Sequence, residues 1–232
     1  MNKFLVSKKD ARIIVLQRIE LAGPILKNIR KIFGRYLFTN FFLKFFLNSS
    51  KIGKKYFDIM NYEYQSISEK INQSDNNVLS IGAGIGGLEL IINKNFSNKK
   101  YYLIERNYIS KKVRYGWGGL ENTEAYNNLT LQKKFLINNG INENQINIFD
   151  YDKDSFPIIK FDLIISLLSL DYHYDFDIYK EYLKKVSNEE TKIIFDTIRS
   201  DYFKNVFKSV EVLRTDQTTI HKSKRIICKG FI

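Results

Sequence analysis

Val78-Leu79-Ser80-Ile81-Gly82-Ala83-Gly84-Ile85-Gly86-Gly87-Leu88-Glu89-Leu90 decides the fold. A short run suited to a buried strand meets four glycines within six positions, and an amphipathic helical pattern follows. Glycine is needed where the chain turns tightly and its backbone approaches a ligand, because no Cβ stands in the way. Free N–H groups at the start of the next helix then favour the negative end of whatever binds. An ordinary tight turn needs no such density of glycine directly after a strand.

Working outward toward the C-terminus, Gly87–Lys94 reads as a helix and Tyr101–Ile104 as a strand that ends at Glu105. A carboxylate at that distance from a glycine loop can accept both ribose hydroxyls of an adenosine-containing ligand. A long irregular segment with Gly116-Trp117-Gly118-Gly119 follows, then a helix over Ala125–Asn138 stopped by Asn139-Gly140. Strands are expected at Ile146–Phe149, Phe161–Leu168 and Lys192–Asp196, and helices at Ile178–Val186 and Asp201–Phe207. Ser209–Leu213 and Arg225–Lys229 form a closing strand pair with no helix between them. Strands alternating with helices predict an α/β fold, a mostly parallel seven-stranded sheet covered on both faces, with an antiparallel C-terminal pair.

Toward the N-terminus the pattern is helical throughout: Asp10–Leu21, Ile25–Phe33, Arg35–Leu47 and Tyr56–Ile71, with Gly23-Pro24 between the first two. Ser74-Asp75-Asn76-Asn77 makes a polar break, so the chain divides into a basic helical region, 1–75, and a ligand-binding domain, 76–232. Of the 37 basic and 25 acidic residues, 13 and 3 fall within residues 1–60, a local net charge of +10. The remainder is nearly neutral at +2. Such a region attracts polyanions, but a solvated helical face is the commoner explanation. The aromatic run Tyr36–Leu47 is expected to pack on the sheet domain or on a second copy of the chain, or to form a lid. The sharper alternative is peripheral contact with an anionic membrane through residues 1–50. The run is too short to span a bilayer, and Met1–Arg12 lacks a signal-peptide layout. With Cys228 the only cysteine, no intrachain disulfide can form, which fits a cytoplasmic location, at most at the inner face of the membrane.

The region from Val78 to Ile232 resembles the class I S-adenosylmethionine-dependent methyltransferases, which have a Rossmann-like sheet. The resemblance implies S-adenosylmethionine as cofactor, with Gly82, Ala83, Gly84 and Gly86 against its methionyl part and Glu105 on its ribose. It places Asp150 or Asp152, after the third strand, at the adenine amine. Ser166, ending the strand signature Phe161-Asp162-Leu163-Ile164-Ile165-Ser166, is also placed at the cofactor. Gly82, Gly84 and Gly87 equally satisfy the dinucleotide pattern, so an NAD(P)- or FAD-binding oxidoreductase is the alternative. Against it, the loop starts at residue 82 and too little chain follows for a flavin domain. A non-catalytic binding protein on the same fold is a third class. Arg114–Trp117, Tyr126–Leu129, Ser166–Ser169 and Tyr172-His173-Tyr174 further resemble bacterial sugar O-methyltransferases, which implies a glycan or other small hydroxyl acceptor in surface-polysaccharide synthesis.

Methylating a hydroxyl requires its proton to leave, and His173, in the polar segment Ser169–Tyr174, has the chemistry of a general base. Asp171 is the candidate to orient it. Trp117, Tyr172 and Tyr174 are candidate substrate contacts, with Trp117 equally able to plug its own loop. The other histidine, His221, reads as a surface residue. No His/Cys pair stands at ligand spacing, so no metal is expected; the alternative is a carboxylate site for Mg²⁺ using Asp171, Asp175 or Asp196, although acidic clusters near strand ends are usually solvated. No aromatic-and-basic RNA-binding motif is present, which argues against a nucleic-acid partner.

Overall fold

A computed structural model describes residues 2–22, 24–34, 37–38, 41, 47–110, 125–217 and 222–232. Its strands are β1 (Asn77–Ile81), β2 (Lys100–Glu105), β3 (Ile146–Asp150), β4 (Leu163–Ser166), β5 (Lys192–Thr197), β6 (Phe207–Thr215) and β7 (Lys224–Phe231). They form one sheet in the order β3-β2-β1-β4-β5-β7-β6, parallel except for β7, which runs antiparallel to both β5 and β6. This is the seven-stranded sheet with an antiparallel tail that the alternation predicts. The helices are α1 (Lys8–Gln17), α2 (Pro24–Phe33), α3 (Ser49–Gln65), α4 (Gly87–Asn95), α5 (Leu129–Asn138), α6 (Asp177–Val186) and α7 (Ser200–Phe203).

Neighbouring strand residues supply opposite faces, as the pleat requires. Val78, Leu103 and Ile165 point into one apolar core with Ala11, Ile14, Tyr56, Ile91 and Phe135, so α1, α3, α4 and α5 cover that face. Leu79, Ile104 and Ile164 point into the other, with Phe176, Leu183, Phe195 and Phe203 from α6, β5 and α7. The N-terminal helices therefore share a core with the sheet. The polar break at 74–77 is pinned rather than loose, because Asp75 binds Lys192 of β5 at 2.6 Å and its carbonyl accepts from buried Lys99.

Element boundaries differ from the sequence reading chiefly at caps. Expected to begin at Tyr56, α3 starts at Ser49, because the Asn48 side chain accepts from the Lys51 N–H and starts the helix about two turns earlier. The first helix ends at Gln17, with a 3₁₀ turn at Ile19–Ala22. The helix expected over Arg35–Leu47 lies mostly outside the described residues. Within it Phe38 is buried, while Leu37 and Phe41 are exposed. Among the described residues no helix is long and apolar enough to cross a membrane.

A buried ionic network fastens α3 to the sheet. Arg225 on β7 is 1% exposed and grips Asp196 of β5 through Nε and Nη2 at 2.9 and 3.0 Å. Its Nη1 donates to Glu63 Oε2 of α3 at 2.7 Å, and Arg214 reaches the same oxygen at 2.9 Å. Burial alone would raise the Glu63 carboxyl, but the guanidinium groups of Arg225, Arg214 and Arg18 outweigh it and hold it below the usual range. Asp196 also accepts the Leu168 N–H at 3.0 Å, extending the network to the loop after β4. Removing one member of such a network strands the others without compensation. Arg225→Ala is expected to cost roughly 3–5 kcal/mol, read as a lowered urea midpoint. A loss below about 1 kcal/mol would show that the pairs contribute little. Because Glu63 is held low, its contribution is present above the ordinary carboxylate pKa and lost as pH falls, so the gap between wild type and Glu63→Gln should narrow in acid.

Candidate functional site

Strand order reverses between β1 and β4, so their connections leave in opposite directions and a crevice opens at the C-terminal ends of the two strands. A cavity of about 360 Å³ occupies it. The glycine loop forms one wall. Gly82, Gly84 and Gly86 adopt φ values of +70°, +63° and +93°, which a side chain would strain. A Cβ on Gly82 would stand 2.0 Å from Ser169 Oγ, so the loops after β1 and β4 touch only because Gly82 has none. Gly82, Ala83 and Gly84 line the cavity, as expected. Gly86 serves instead as the left-handed cap of α4, where a Cβ would meet Leu136 at 2.5 Å.

Glu105 ends β2 and lines the same cavity. Its Oε1 accepts the Gly84 N–H, and Gln17 from the end of α1 accepts the next one, from Ile85, at 3.2 Å. Asn127 donates to the Gly84 carbonyl at 2.7 Å. Burial pushes the Glu105 carboxyl up to about 8, against the pull of the Gly84 N–H and the Asn127 side chain. The anion-seeking loop is thus already faced by a carboxylate and an amide oxygen.

The loop after β4 makes the opposite wall. Ser169 O gathers the N–H groups of Tyr172, His173 and Tyr174 at 3.1, 2.7 and 3.1 Å, folding the segment into a tight knot. Tyr172, His173 and Tyr174 all line the cavity, with the rings of Tyr172 and His173 edge to face at 4.6 Å. The third wall comes from the N-terminal region: Gln17, Arg18 and Glu20 follow or end α1, and Tyr56 and Glu63 project from α3. The acidic side chains Glu20, Glu63, Glu89 and Glu105 line the cavity together with the guanidinium of Arg18, and burial raises the carboxyls of both Glu89 and Glu105.

Several expected site residues sit elsewhere. Asp171 is buried with φ +56°, and its carboxylate is taken up by Arg199 Nε at 2.9 Å and Thr197 Oγ1 at 2.6 Å, so it braces the loop from behind. Asp175 shares Arg199 at 3.0 Å and Asp196 holds Arg225, so the three carboxylates weighed as a metal site are satisfied by arginines. Ser166 donates to Ile81 O at 2.7 Å and accepts from Leu170 N–H at 2.9 Å, stapling β4 to β1 rather than lining the cavity. Asp150 and Asp152 also lie off the cavity wall. Asp150 caps its own turn, accepting from Asp152 N–H at 3.2 Å, and Asp152 pairs with Arg106 at 3.4 Å. Trp117 and His221 lie outside the described residues.

Other contributors escaped the sequence reading. Asn127 carried a faint signal, since it directly precedes the helix cap Asn128. Glu89 carried a better one, as a lone acid among Leu88, Leu90, Ile91 and Ile92 on a helix that must bury one face. Gln17, Arg18 and Tyr56 carried none, because their importance arises from contacts far along the chain.

No protein-family model matches the sequence, and no curated protein matches it. Solved structures do. A proposed O-methyltransferase from Nostoc punctiforme PCC 73102 aligns with 75% of this chain and 56% of its own, at 13% identity and a TM-score of 0.51. The mitomycin 7-O-methyltransferase MmcR aligns over 78% of this chain and 56% of its own, at 10% identity and a TM-score of 0.48. The N-terminal domain of EvdMO1, solved with S-adenosylhomocysteine, aligns over 75% and 81%, at 13% identity and 0.49. The chain thus spans just over half the length of the first two. At such identities the likeness speaks for architecture: strand order, antiparallel tail and crevice together are the Rossmann-like fold of the class I methyltransferases.

Proposed function

We propose that the protein is an S-adenosylmethionine-dependent methyltransferase acting on a hydroxyl group of a sugar or glycoconjugate. The observation that carries the cofactor assignment is that the donors of the glycine loop are already engaged. Glu105 Oε1 accepts the Gly84 N–H and Gln17 Oε1 accepts the Ile85 N–H. A nicotinamide or flavin dinucleotide would bring its pyrophosphate to that loop, against Glu105 and with the Ile85 N–H already given to Gln17. A sulfonium nucleoside has no phosphate to place against that loop, and its ribose offers two donors to Glu105.

S-adenosylmethionine supplies a methyl group on sulfonium, ready for in-line transfer to an oxygen lone pair. The protein's part is to hold the acceptor in line and to take its proton. His173 is the cavity-lining side chain suited to the second task, and Tyr172 and Tyr174 beside it offer ring faces and hydroxyls to a sugar. Asp171 contributes by fixing the backbone of the loop that presents His173, through Arg199 and Thr197.

Calorimetric titration with S-adenosylmethionine, S-adenosylhomocysteine, NAD⁺, NADP⁺ and FAD tests the cofactor. Micromolar binding (roughly −8 kcal/mol) of the first two alone is expected, and binding of a dinucleotide alone would overturn the assignment. Affinity should rise as pH approaches about 8, where Glu105 ionises and can accept both ribose hydroxyls. Glu105→Ala should bind roughly 10- to 100-fold more weakly with that rise gone. The same ionisation works against the empty fold. Its folded pKa lies above the unfolded one, so the stability Glu105 contributes in acid is lost as pH rises from about 4.3 to about 8. Glu105→Gln should remove that loss. For the base, His173→Ala should slow methylation of a sugar acceptor roughly 100-fold or more with S-adenosylhomocysteine affinity within about twofold; full turnover would exclude the role.

A further inference from the structure

The cavity takes the inner side of the N-terminal helices, and their outer side carries a pattern of its own. Residues 21–57 include eight lysines and arginines and no acidic residue. Within that stretch four large apolar side chains face solvent: Ile32 is 77% exposed, Phe33 47%, Leu37 59% and Phe41 62%. One exposed leucine is ordinary, but a cluster of large apolar side chains marks a surface that something else covers. Local structure explains how the cluster arises. Ile29, Ile32 and Phe33 stand three and four positions apart on α2 and so share one side of the helix. Ile29 packs against the core, while Ile32 and Phe33 run on past it. Gly34 then ends the helix at φ +74°, its N–H donating to Arg30 O at 2.8 Å. Beyond it the Phe38 N–H donates to Gly34 O at 3.1 Å and the Phe38 ring is buried, which leaves Leu37 and Phe41 outside. Lys31 beside Ile32 is exposed too, as are Lys51 and Lys54 near the start of α3.

The partner has to suit cations and large apolar side chains together. A second copy set on this face by a two-fold axis would bring its own acid-free stretch against this one, cations facing cations. A nucleic acid would satisfy the cations but hold Ile32 and Leu37 against a charged backbone. An anionic bilayer meets both requirements, its headgroups neutralising the cations while the apolar side chains enter the acyl boundary. We propose that Ile32, Phe33, Leu37 and Phe41, with Lys31, form a peripheral contact for an anionic lipid bilayer. The contact stands apart from the chemistry of the cavity but lies close to it. Helix α2 packs against the Ile19–Ala22 turn, which supplies Ile19 and Glu20 to the cavity wall.

Flotation of the full chain with lipid vesicles tests the contact. Vesicles of phosphatidylcholine alone are compared with phosphatidylcholine carrying about one quarter phosphatidylglycerol. Wild type should float with the anionic vesicles in low salt and stay behind with the neutral ones. In about 1 M salt, where charges are screened within about 3 Å, most of the binding should go. The double variant Ile32→Ser/Leu37→Ser should bind the anionic vesicles roughly 10-fold or more weakly, and Lys31→Glu several-fold. These substitutions change exposed side chains only, so thermal midpoints should match wild type. No flotation in low salt overturns the contact. Flotation that the double variant retains in full is attraction of cations alone, open equally to a nucleic acid, and overturns it as well. A wild type that sediments as a dimer, with the double variant monomeric, assigns the face to a second copy instead of to lipid.

Discussion

Everything in this site follows from how closely the ends of β1 and β4 can approach. Adjacent parallel strands whose helices depart to opposite faces must diverge at their C-terminal ends, and the crevice between them is where a ligand fits. Here the two loops are drawn together at one point, Gly82 against Ser169, where a Cβ would stand 2.0 Å from the serine oxygen. Ser166 fixes the spacing from below by bonding to Ile81 O and to Leu170 N–H. Leu168 and Asp171 accept left-handed backbone so that the loop can turn back toward the cavity. That conformation is unfavourable for a residue with a branched side chain, by roughly 1–2 kcal/mol. Asp196 offsets it at Leu168 by accepting that residue's N–H, and Arg199 with Thr197 secures Asp171. Ser166, Asp171, Asp196, Thr197 and Arg199, none of which lines the cavity, thus help to position the wall that bears His173.

What could be read from the sequence divides along the range of the interactions. The glycine loop, Glu105 and the seven strands were legible because each depends on neighbours within a few residues: alternation, turn chemistry, a strand end. Cavity-lining Tyr172, His173 and Tyr174 were legible for the same reason, lying just past a recognisable strand. Ser166, Asp150, Asp152 and Asp171 were legible as polar residues near the right strand ends, but not in their orientation. A serine two positions from the crevice can turn inward to staple strands, and an aspartate in a turn can cap it. Only the far partner decides, and Arg199 stands 28 positions from Asp171. Gln17, Arg18, Tyr56 and Glu63 come from helices that local periodicity could identify but not dock.

The charge of the chain and the charge of its site point opposite ways. A net charge of +12 concentrated near the N-terminus suggests a polyanion partner, yet the cavity itself is lined mainly by carboxylates. Both hold because electrostatics is local: surface lysines are screened within about 10 Å in ordinary salt, whereas groups inside a crevice act through little water. Net charge thus describes the outer surface of the N-terminal helices and says little about the ligand. The ligand is met instead by the groups at the glycine loop, where Glu105 and Gln17 already accept the Gly84 and Ile85 N–H groups.

The same locality explains why the N-terminal helices belong to the site as well as to the fold. Glu63 is needed on α3 to meet Arg225, and this pairing through Asp196 reaches the Leu168 backbone on the far wall. Docking α3 and setting the His173 loop are consequently one event, joined by ion pairs too buried for water to replace. Glu89 stands apart from that network, since its Oε2 has no partner among the described residues. Arg225, Asp196, Asp171 and Ser166 all find their partners within the chain, so the walls of the cavity are set before anything binds and a ligand that fits them loses little to reorganisation.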